Sequence, residues 1–292
     1  MRKYQAVQFL TPNGVSLFGL WSKTSETRLV FIFVHGLGGS VFSSGFSAFA
    51  EAIGKDASLF IFNNRGHDIV SKYKIGIGEE EKINLGGAGL ENFADCADDI
   101  AGAVSFVLSQ GTTEVVLVGH STGCQKAIFY LSRIENPKVS KVILLAPISD
   151  LACVSTVAPS EIFKKAFSTA KQQSREGKGG SLLSESVWPQ IMSADRFLSL
   201  YTKESDEEIF CYGFPDKKPD VFRSVKIPIL AVFAGADEHS PTPAEKIARW
   251  FSDNFSNKAS KSVIIPEAKH NFKGYESVLG KEIQQWLSRF KK

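Results

Sequence analysis

The chain lacks any apolar run that approaches the roughly 18 residues needed to cross a bilayer, so we expect no stable membrane insertion. Residues 1–8 contain neither the apolar centre of a secretory signal nor a small-residue cleavage site. The four cysteines are scattered, and no C-x-x-C motif occurs. This usage is typical of buried, reduced thiols. We therefore expect a cytoplasmic protein.

An excess of one charge is also missing, because 34 basic residues stand against 31 acidic ones and the formal net charge is +3. No basic stretch is interleaved with aromatic residues, so nucleic acid is not an expected partner. The sequence has no cluster of His, Cys and carboxylates typical of a metal site. Residues 35–39 read H-G-L-G-G, which satisfies neither the phosphate-loop nor the dinucleotide-binding motif. We expect neither a cofactor nor a metal.

What the chain does contain is a repeated order of apolar runs and segments with helical spacing. Continuously apolar runs are typical of strands covered on both faces of a parallel sheet. Alternation of such strands with helices predicts an α/β fold, with a mostly parallel central sheet flanked by helices. Buried strands are predicted at 29–34, 59–62, 115–118, 142–145, 227–233 and 263–265, and helices over 42–53, 90–108, 243–255 and the terminal segment after His270.

Two stretches outside this alternation have other expected structures. Residues 1–21 read as a β-hairpin, because Pro-Asn-Gly at 12–14 favours a turn between two apolar runs. Residues 71–89 read as an irregular, glycine-rich loop. The acidic cluster Glu79-Glu80-Glu81 lies in this loop and is expected to be solvated.

Residues 149–225 interrupt the alternation, because they contain no run typical of a buried strand. Helices are predicted near 160–173 and 193–202, with a polar, flexible piece at 171–180. We interpret 149–225 as a helical cap inserted into a core domain formed by 1–148 and 226–292. Its aromatic residues either face a substrate or pack the cap against the core; they are Trp188, Phe197, Tyr201, Phe210, Tyr212 and Phe214.

The pentapeptide Gly119-His120-Ser121-Thr122-Gly123 has the pattern G-x-S-x-G. It directly follows the apolar run 115–118 and precedes a segment with helical spacing. A serine at such a turn is held in strained backbone geometry, and glycine allows neighbouring backbone to pass close by. The strand–turn–helix context indicates an exposed serine nucleophile at a helix N-terminus.

A serine nucleophile needs a base that takes its proton and a carboxylate that orients the base. Two later loops supply these residue types, each just past a predicted strand. Asp237 follows the strand that ends at Phe233, and His270 follows the strand that ends at Ile265. The order along the chain is therefore Ser, Asp, His.

With these motifs, the chain resembles the α/β-hydrolases over essentially its whole length. The resemblance depends on H-G-L-G-G at 35–39, R-G-H-D at 65–68, the turn at 119–123, G-A-D at 235–237 and His270. Residues 119–125 also resemble a subgroup related to fungal siderophore esterases. The resemblance implies that Ser121 is the nucleophile, His270 the general base and then acid, and Asp237 its orienting carboxylate. The implied oxyanion hole consists of the backbone N–H groups of Leu37 and Thr122.

Several nearby residues have alternative interpretations. Asp150 follows the predicted strand 142–145 and could serve as the acid instead of Asp237. Glu238 is expected to point away from the site. We expect His35 and His120 to make structural hydrogen bonds, His239 to stabilise its loop, and Arg65, His67 and Asp68 to brace loops by charge-assisted hydrogen bonds. Cys96 and Cys124 are expected to be buried.

The predicted function is hydrolysis of a carboxylic ester through an acyl-enzyme on Ser121. The expected substrate is a small molecule with an apolar part. The same residues could serve a lactonase, an amidase, a C–C hydrolase, an acyltransferase or a slow-turnover receptor. An Asp nucleophile, as in the dehalogenases and epoxide hydrolases of this fold, is excluded because position 121 is Ser. The oligomeric state is not predicted.

Overall fold

The computed structural model describes residues 2–24, 29–76, 81–133 and 138–290. Within these residues ten strands form one sheet, in the order β10-β9-β8-β7-β3-β4-β2-β5-β6, with β1 paired to β2. The six strands from β10 to β4 are parallel, and the remaining pairings are antiparallel. The strands are Gln5–Leu10 (β1), Val15–Ser22 (β2), Leu29–Val34 (β3), Ser58–Phe62 (β4), Ser71–Ile75 (β5), Lys82–Gly86 (β6), Glu114–His120 (β7), Val139–Leu145 (β8), Ile229–Ala234 (β9) and Lys261–Ile265 (β10).

Helices cover both faces of the sheet, because the strand residues alternate between two apolar clusters. One cluster packs the sheet against α2, α3 and α7, and the other packs it against α1 and α8. The predicted mostly parallel sheet between helices is therefore confirmed. The helices are Ser44–Ala52 (α1), Cys96–Ser109 (α2), Thr122–Arg133 (α3), Ser160–Arg175 (α4), Ala194–Tyr201 (α5), Asp220–Ser224 (α6), Ala244–Asn254 (α7) and Glu276–Ser288 (α8).

The predicted loop at 71–89 is wrong, because β5 and β6 form an antiparallel hairpin at the edge of the sheet. Their residues are mostly exposed or half-buried, so these strands have no continuous apolar run that would have indicated them. Within the acidic cluster, Glu81 forms an ion pair with Lys74 at 2.8 Å. Glu79 and Glu80 lie outside the described residues.

The helix predicted from residue 90 begins later, at Cys96, after a short 3-10 turn at Phe93–Asp95. Glu91 therefore lies before the helix. The predicted flexible piece at 171–180 is also partly wrong, because α4 continues to Arg175.

Residues 149–225 contain α4, α5 and α6 and have two packing environments. Trp188 and Phe197 belong to a third apolar cluster built from α4, α5 and the segment between them. Phe210 and Phe222, in contrast, pack with Phe251 of α7 in the main core. That 149–225 acts as a cap stays a prediction.

Among the described residues, no helix is both long and apolar enough to span a membrane.

Candidate active site

Ser121 lies at the turn between β7 and α3 and has a positive φ of 56°. The flanking glycines explain how the turn is formed. A Cβ at position 123 would lie 2.1 Å from the carbonyl oxygen of Val34, and one at position 119 would lie 2.5 Å from that of Gly123. Larger residues would therefore separate β3, β7 and α3. The strained serine turn predicted from G-x-S-x-G is present.

His270 and Asp237 lie side by side on the loops that follow β10 and β9. His270 Nδ1 is 2.8 Å from Asp237 Oδ2, and both side chains are more than nine-tenths buried. Burial acts to raise the pKa of Asp237, but the hydrogen bond and charge of His270 lower it overall. A carboxylate at this position fixes the imidazole with its proton on Nδ1, which leaves Nε2 free to accept a proton.

Ser121 and His270 line the same cavity, which has a volume of about 360 Å³. Leu37, Ile148 and Val157 contribute apolar walls. Of the aromatic residues named for the predicted cap, Tyr201 lines this cavity, whereas Trp188 packs against its neighbours in the third cluster.

The loop after β3 passes directly beside Ser121. A Cβ at Gly36 would lie 2.7 Å from Ser121 Cβ and 3.2 Å from the backbone nitrogen of Thr122. His35 fixes this loop, since its Nδ1 is 3.0 Å from the Gly36 carbonyl oxygen and its Nε2 is 3.3 Å from the Asn64 nitrogen. Burial lowers the pKa of His35 to about 3, so its ring is neutral and can donate at Nδ1 while it accepts at Nε2.

Two residues hold the backbone of His270: His120, for which a structural hydrogen bond was expected, and Glu238, for which no such role was expected. His120 Nε2 is 2.9 Å from the His270 carbonyl oxygen, and Glu238 Oε2 accepts a hydrogen bond of 3.0 Å from the His270 N–H. Glu238 thus contacts the backbone of His270 but does not line the cavity of Ser121. Burial lowers the pKa of His120 to about 3, which makes it a neutral donor. No sequence motif indicates this support, because it depends on the paths of three loops.

His239 lies next to the base, with its ring edge-on to that of His270 at a centroid distance of 4.7 Å. Its backbone N–H donates to Asp237 Oδ1 at 2.9 Å, which is consistent with the expected role in the loop. Its side chain also lines the cavity of Ser121.

The other candidates have different partners. Asp150 lines the cavity, but it accepts a hydrogen bond of 3.1 Å from Gln125 Nε2, whereas the carboxylate at His270 Nδ1 is that of Asp237. Arg65 is buried against α2, where its Nε is 2.7 Å from Asp99 Oδ1. His67 Nδ1 lies 3.0 Å from Oδ2 of its neighbour Asp68. Arg65, His67 and Asp68 were expected to act together, but Arg65 contacts α2 and the other two residues contact each other.

The four cysteines are free and buried, as predicted. Burial raises the pKa of the Cys96 and Cys124 thiols well above the usual range, so both are unreactive. Cys153 lines the cavity, and burial raises its pKa to about 11. In the part of the chain that the structure describes, no three potential metal ligands come together.

A buried ion network beneath the site was missed entirely. Lys126 of α3 is 2.5 Å from Glu91 Oε1, and Arg196 of α5 is 3.2 Å from Glu91 Oε2. Arg196 also forms a bidentate pair with Glu207. All four side chains are almost completely buried. The network ties the helix that begins beside Ser121 to α5 in the segment 149–225.

Replacing Lys126 with methionine is expected to lower the free energy of unfolding by about 3–5 kcal/mol, because Glu91 would keep a buried charge with one partner fewer. Lys164 provides a matched control, since it pairs with Glu161 at 2.9 Å on an exposed helix face. Lys164→Met is expected to leave stability unchanged within error. Urea denaturation of both variants measures the difference. The double variant Lys126→Met/Glu91→Gln restores the charge balance of the buried network, so it should recover part of the lost stability. Equal stability of Lys126→Met and Lys164→Met would contradict a stabilising role of Lys126.

Known proteins share sequence similarity with part of the chain. The fusarinine C esterase sidJ of Aspergillus fumigatus is 27% identical over 217 residues, which covers 56% of this chain and 61% of the relative. The bifunctional esterase/perhydrolase DCH of Acinetobacter calcoaceticus is 28% identical over 118 residues, which covers 40% of each protein. The chain thus spans less than two thirds of the length of these curated relatives.

Similarity to solved structures extends over the whole fold. The siderophore hydrolase EstB of Aspergillus fumigatus superposes with a TM-score of 0.71 at 20% identity, which covers 99% of this chain and 98% of that one. At this identity the likeness shows the fold alone, and it confirms the fold expected from the motifs. A family model also matches residues 77–289. The chain therefore has the α/β-hydrolase fold and belongs to the family described as proteins of unknown function, DUF1749.

Proposed function

We propose that the protein is a serine hydrolase that cleaves carboxylic esters through an acyl-enzyme on Ser121. The observation that carries the proposal is the placement of Ser121, at positive φ, in the same cavity as His270, whose Nδ1 is bonded to Asp237. The similarity to two proteins named as esterases supports the same reaction class.

In the proposed mechanism, His270 Nε2 removes the proton of Ser121 Oγ as that oxygen attacks the ester carbonyl carbon. The resulting oxyanion accepts hydrogen bonds from the backbone N–H groups of Leu37 and Thr122. Such donors contribute on the order of 3 kcal/mol each to transition-state stabilisation. The protonated His270 then donates its proton to the leaving alcohol, and Asp237 stabilises the charged imidazole.

Hydrolysis of the acyl-enzyme repeats these steps with water as the nucleophile. His270 takes a proton from water, which attacks the acyl carbon, and the proton then returns to Ser121 Oγ as the acid departs. The apolar walls formed by Leu37, Ile148 and Val157 support a small-molecule ester with an apolar part. The names of two similar proteins, a fusarinine C esterase and a siderophore hydrolase, make fusarinine C and other siderophore esters substrates to test.

A fluorophosphonate probe tests the nucleophile directly. We expect stoichiometric labelling of the purified protein, with the adduct on Ser121 by peptide mapping, because only an activated serine attacks the phosphorus. Ser44 also lines the cavity and provides a control. The Ser44→Ala variant should remain labelled, and the Ser121→Ala variant should not. An adduct on any other residue, or none at all, would overturn the proposal.

A further inference from the structure

Asp150 is a carboxyl group in the wall of the active-site cavity that the proposed mechanism does not use. It follows β8 and lines the cavity together with Ser121, Gln190 and Tyr201. Its Oδ2 accepts a hydrogen bond of 3.1 Å from Gln125 Nε2. Gln125 lies one helical turn after Ser121 on α3, so Asp150 is fixed to the helix of the nucleophile. Among the described residues, no Lys, Arg or His forms an ion pair with Asp150.

The charges around Asp150 leave it without a directly paired counter-ion. In the buried network, the two carboxylates Glu91 and Glu207 are matched by Lys126 and Arg196. Burial, followed by the charge of Glu207, raises the pKa of Asp150 to about 8, although the charge of Arg196 acts to lower it. A carboxyl group in this state is stabilised as an anion when a cation comes beside it. Arg196 acts on Asp150 without forming an ion pair with it and is already paired with Glu91 and Glu207, whereas the cavity gives access to a cation from outside.

The same wall carries further hydrogen-bond acceptors. Tyr201 Oη donates to Gln190 Oε1 at 3.2 Å, and both residues line the cavity. Tyr201 and Asp150 line the same cavity, and burial, followed by the charge of Asp150, raises the pKa of Tyr201. The wall therefore presents a carboxylate, a phenol oxygen and an amide oxygen. A primary ammonium group has three N–H donors and no acceptor, which fits this set.

We propose that Asp150, with Tyr201 and Gln190, binds a protonated amine of the substrate, so that the preferred substrates are esters of amino-bearing acids or alcohols. The inference rests on the proposed ester hydrolase function and names its substrate class. Asp150 acts as a specificity-determining residue: its carboxylate pairs with the ammonium group and holds the ester carbonyl in position relative to Ser121.

The test uses p-nitrophenyl esters of ω-amino acids of increasing chain length, each beside the isostere in which a methyl group replaces the ammonium. We expect the wild-type protein to prefer one amino ester over its isostere in kcat/KM. In the Asp150→Asn variant this preference should fall by roughly tenfold or more, because the amide keeps the contact with Gln125 but lacks the charge.

Glu208 provides the matched control, because it is also buried and its pKa is raised to about 7, yet it does not line the cavity. The Glu208→Gln variant should keep the preference of the wild-type protein. The amine site is overturned if no amino ester is preferred, or if the preference is the same in wild type and Asp150→Asn. Binding of the amino esters and isosteres to the inactive Ser121→Ala protein, measured by calorimetry, should show the same discrimination. Failure of the hydrolase itself is distinguished by missing fluorophosphonate labelling at Ser121.

Discussion

Replacing Ser121 with alanine is expected to lower kcat for a p-nitrophenyl ester on the order of 10⁴-fold or more, because no acyl-enzyme can form. The residual rate would come from the oxyanion donors and from substrate binding, which the substitution leaves in place. The backbone strain is unchanged, since alanine and serine both carry a Cβ at the φ of 56°. The measurement is kcat and KM under saturating ester, with active protein quantified independently.

The loss must come from chemistry and not from unfolding. Ser121→Ala should therefore show the same urea midpoint as the wild-type protein. Ser47 of α1 is exposed, and Ser47→Ala provides the control for an uninvolved serine. A Ser121→Ala protein that retains turnover within about tenfold of wild type would contradict the proposed acyl-enzyme.

The serine turn could be predicted from sequence because its requirements are local. Gly119 is needed where β7 meets α3 and Gly123 where α3 meets the end of β3, and both lie within two residues of Ser121. The order Ser, Asp, His places the candidate partners on loops after later strands. Parallel strands bring such loops to one edge of the sheet, so the pairing of Asp237 with His270 follows from the topology.

The supports of the site could not be predicted in the same way. Lys126 and Glu91 are 35 positions apart, and their pairing depends on the packing of α3 against a loop that the sequence indicated as part of a helix. A lone lysine in a helical segment is normally read as solvent-exposed. The hairpin β5–β6 was missed for a related reason: an edge hairpin that is largely exposed to solvent needs no continuous apolar run.

Replacing Asp237 with asparagine is expected to lower kcat for a neutral ester by about 10³- to 10⁴-fold. The amide can donate its N–H to His270 Nδ1, which makes Nδ1 the acceptor and favours the tautomer with its proton on Nε2. That tautomer cannot take the proton of Ser121. The measurement is the pre-steady-state and steady-state rate with p-nitrophenyl acetate, together with the yield of fluorophosphonate adduct over time.

Asp150→Asn separates the two acids that the sequence left open. Asp237 Oδ2 is 2.8 Å from His270 Nδ1. Asp150 Oδ2 instead accepts a hydrogen bond of 3.1 Å from Gln125 Nε2 of α3. On a neutral ester, the fall in kcat for Asp150→Asn should therefore be at least about 100-fold smaller than that for Asp237→Asn. The reverse order would make Asp150 the orienting carboxylate and would also remove the amine site proposed for it. Both variants are assayed on neutral and on amino esters, so one series of measurements assigns a role to each carboxylate. We expect Asp237→Asn to lower kcat for every ester. We expect Asp150→Asn to lower the preference in kcat/KM for amino esters over their neutral isosteres.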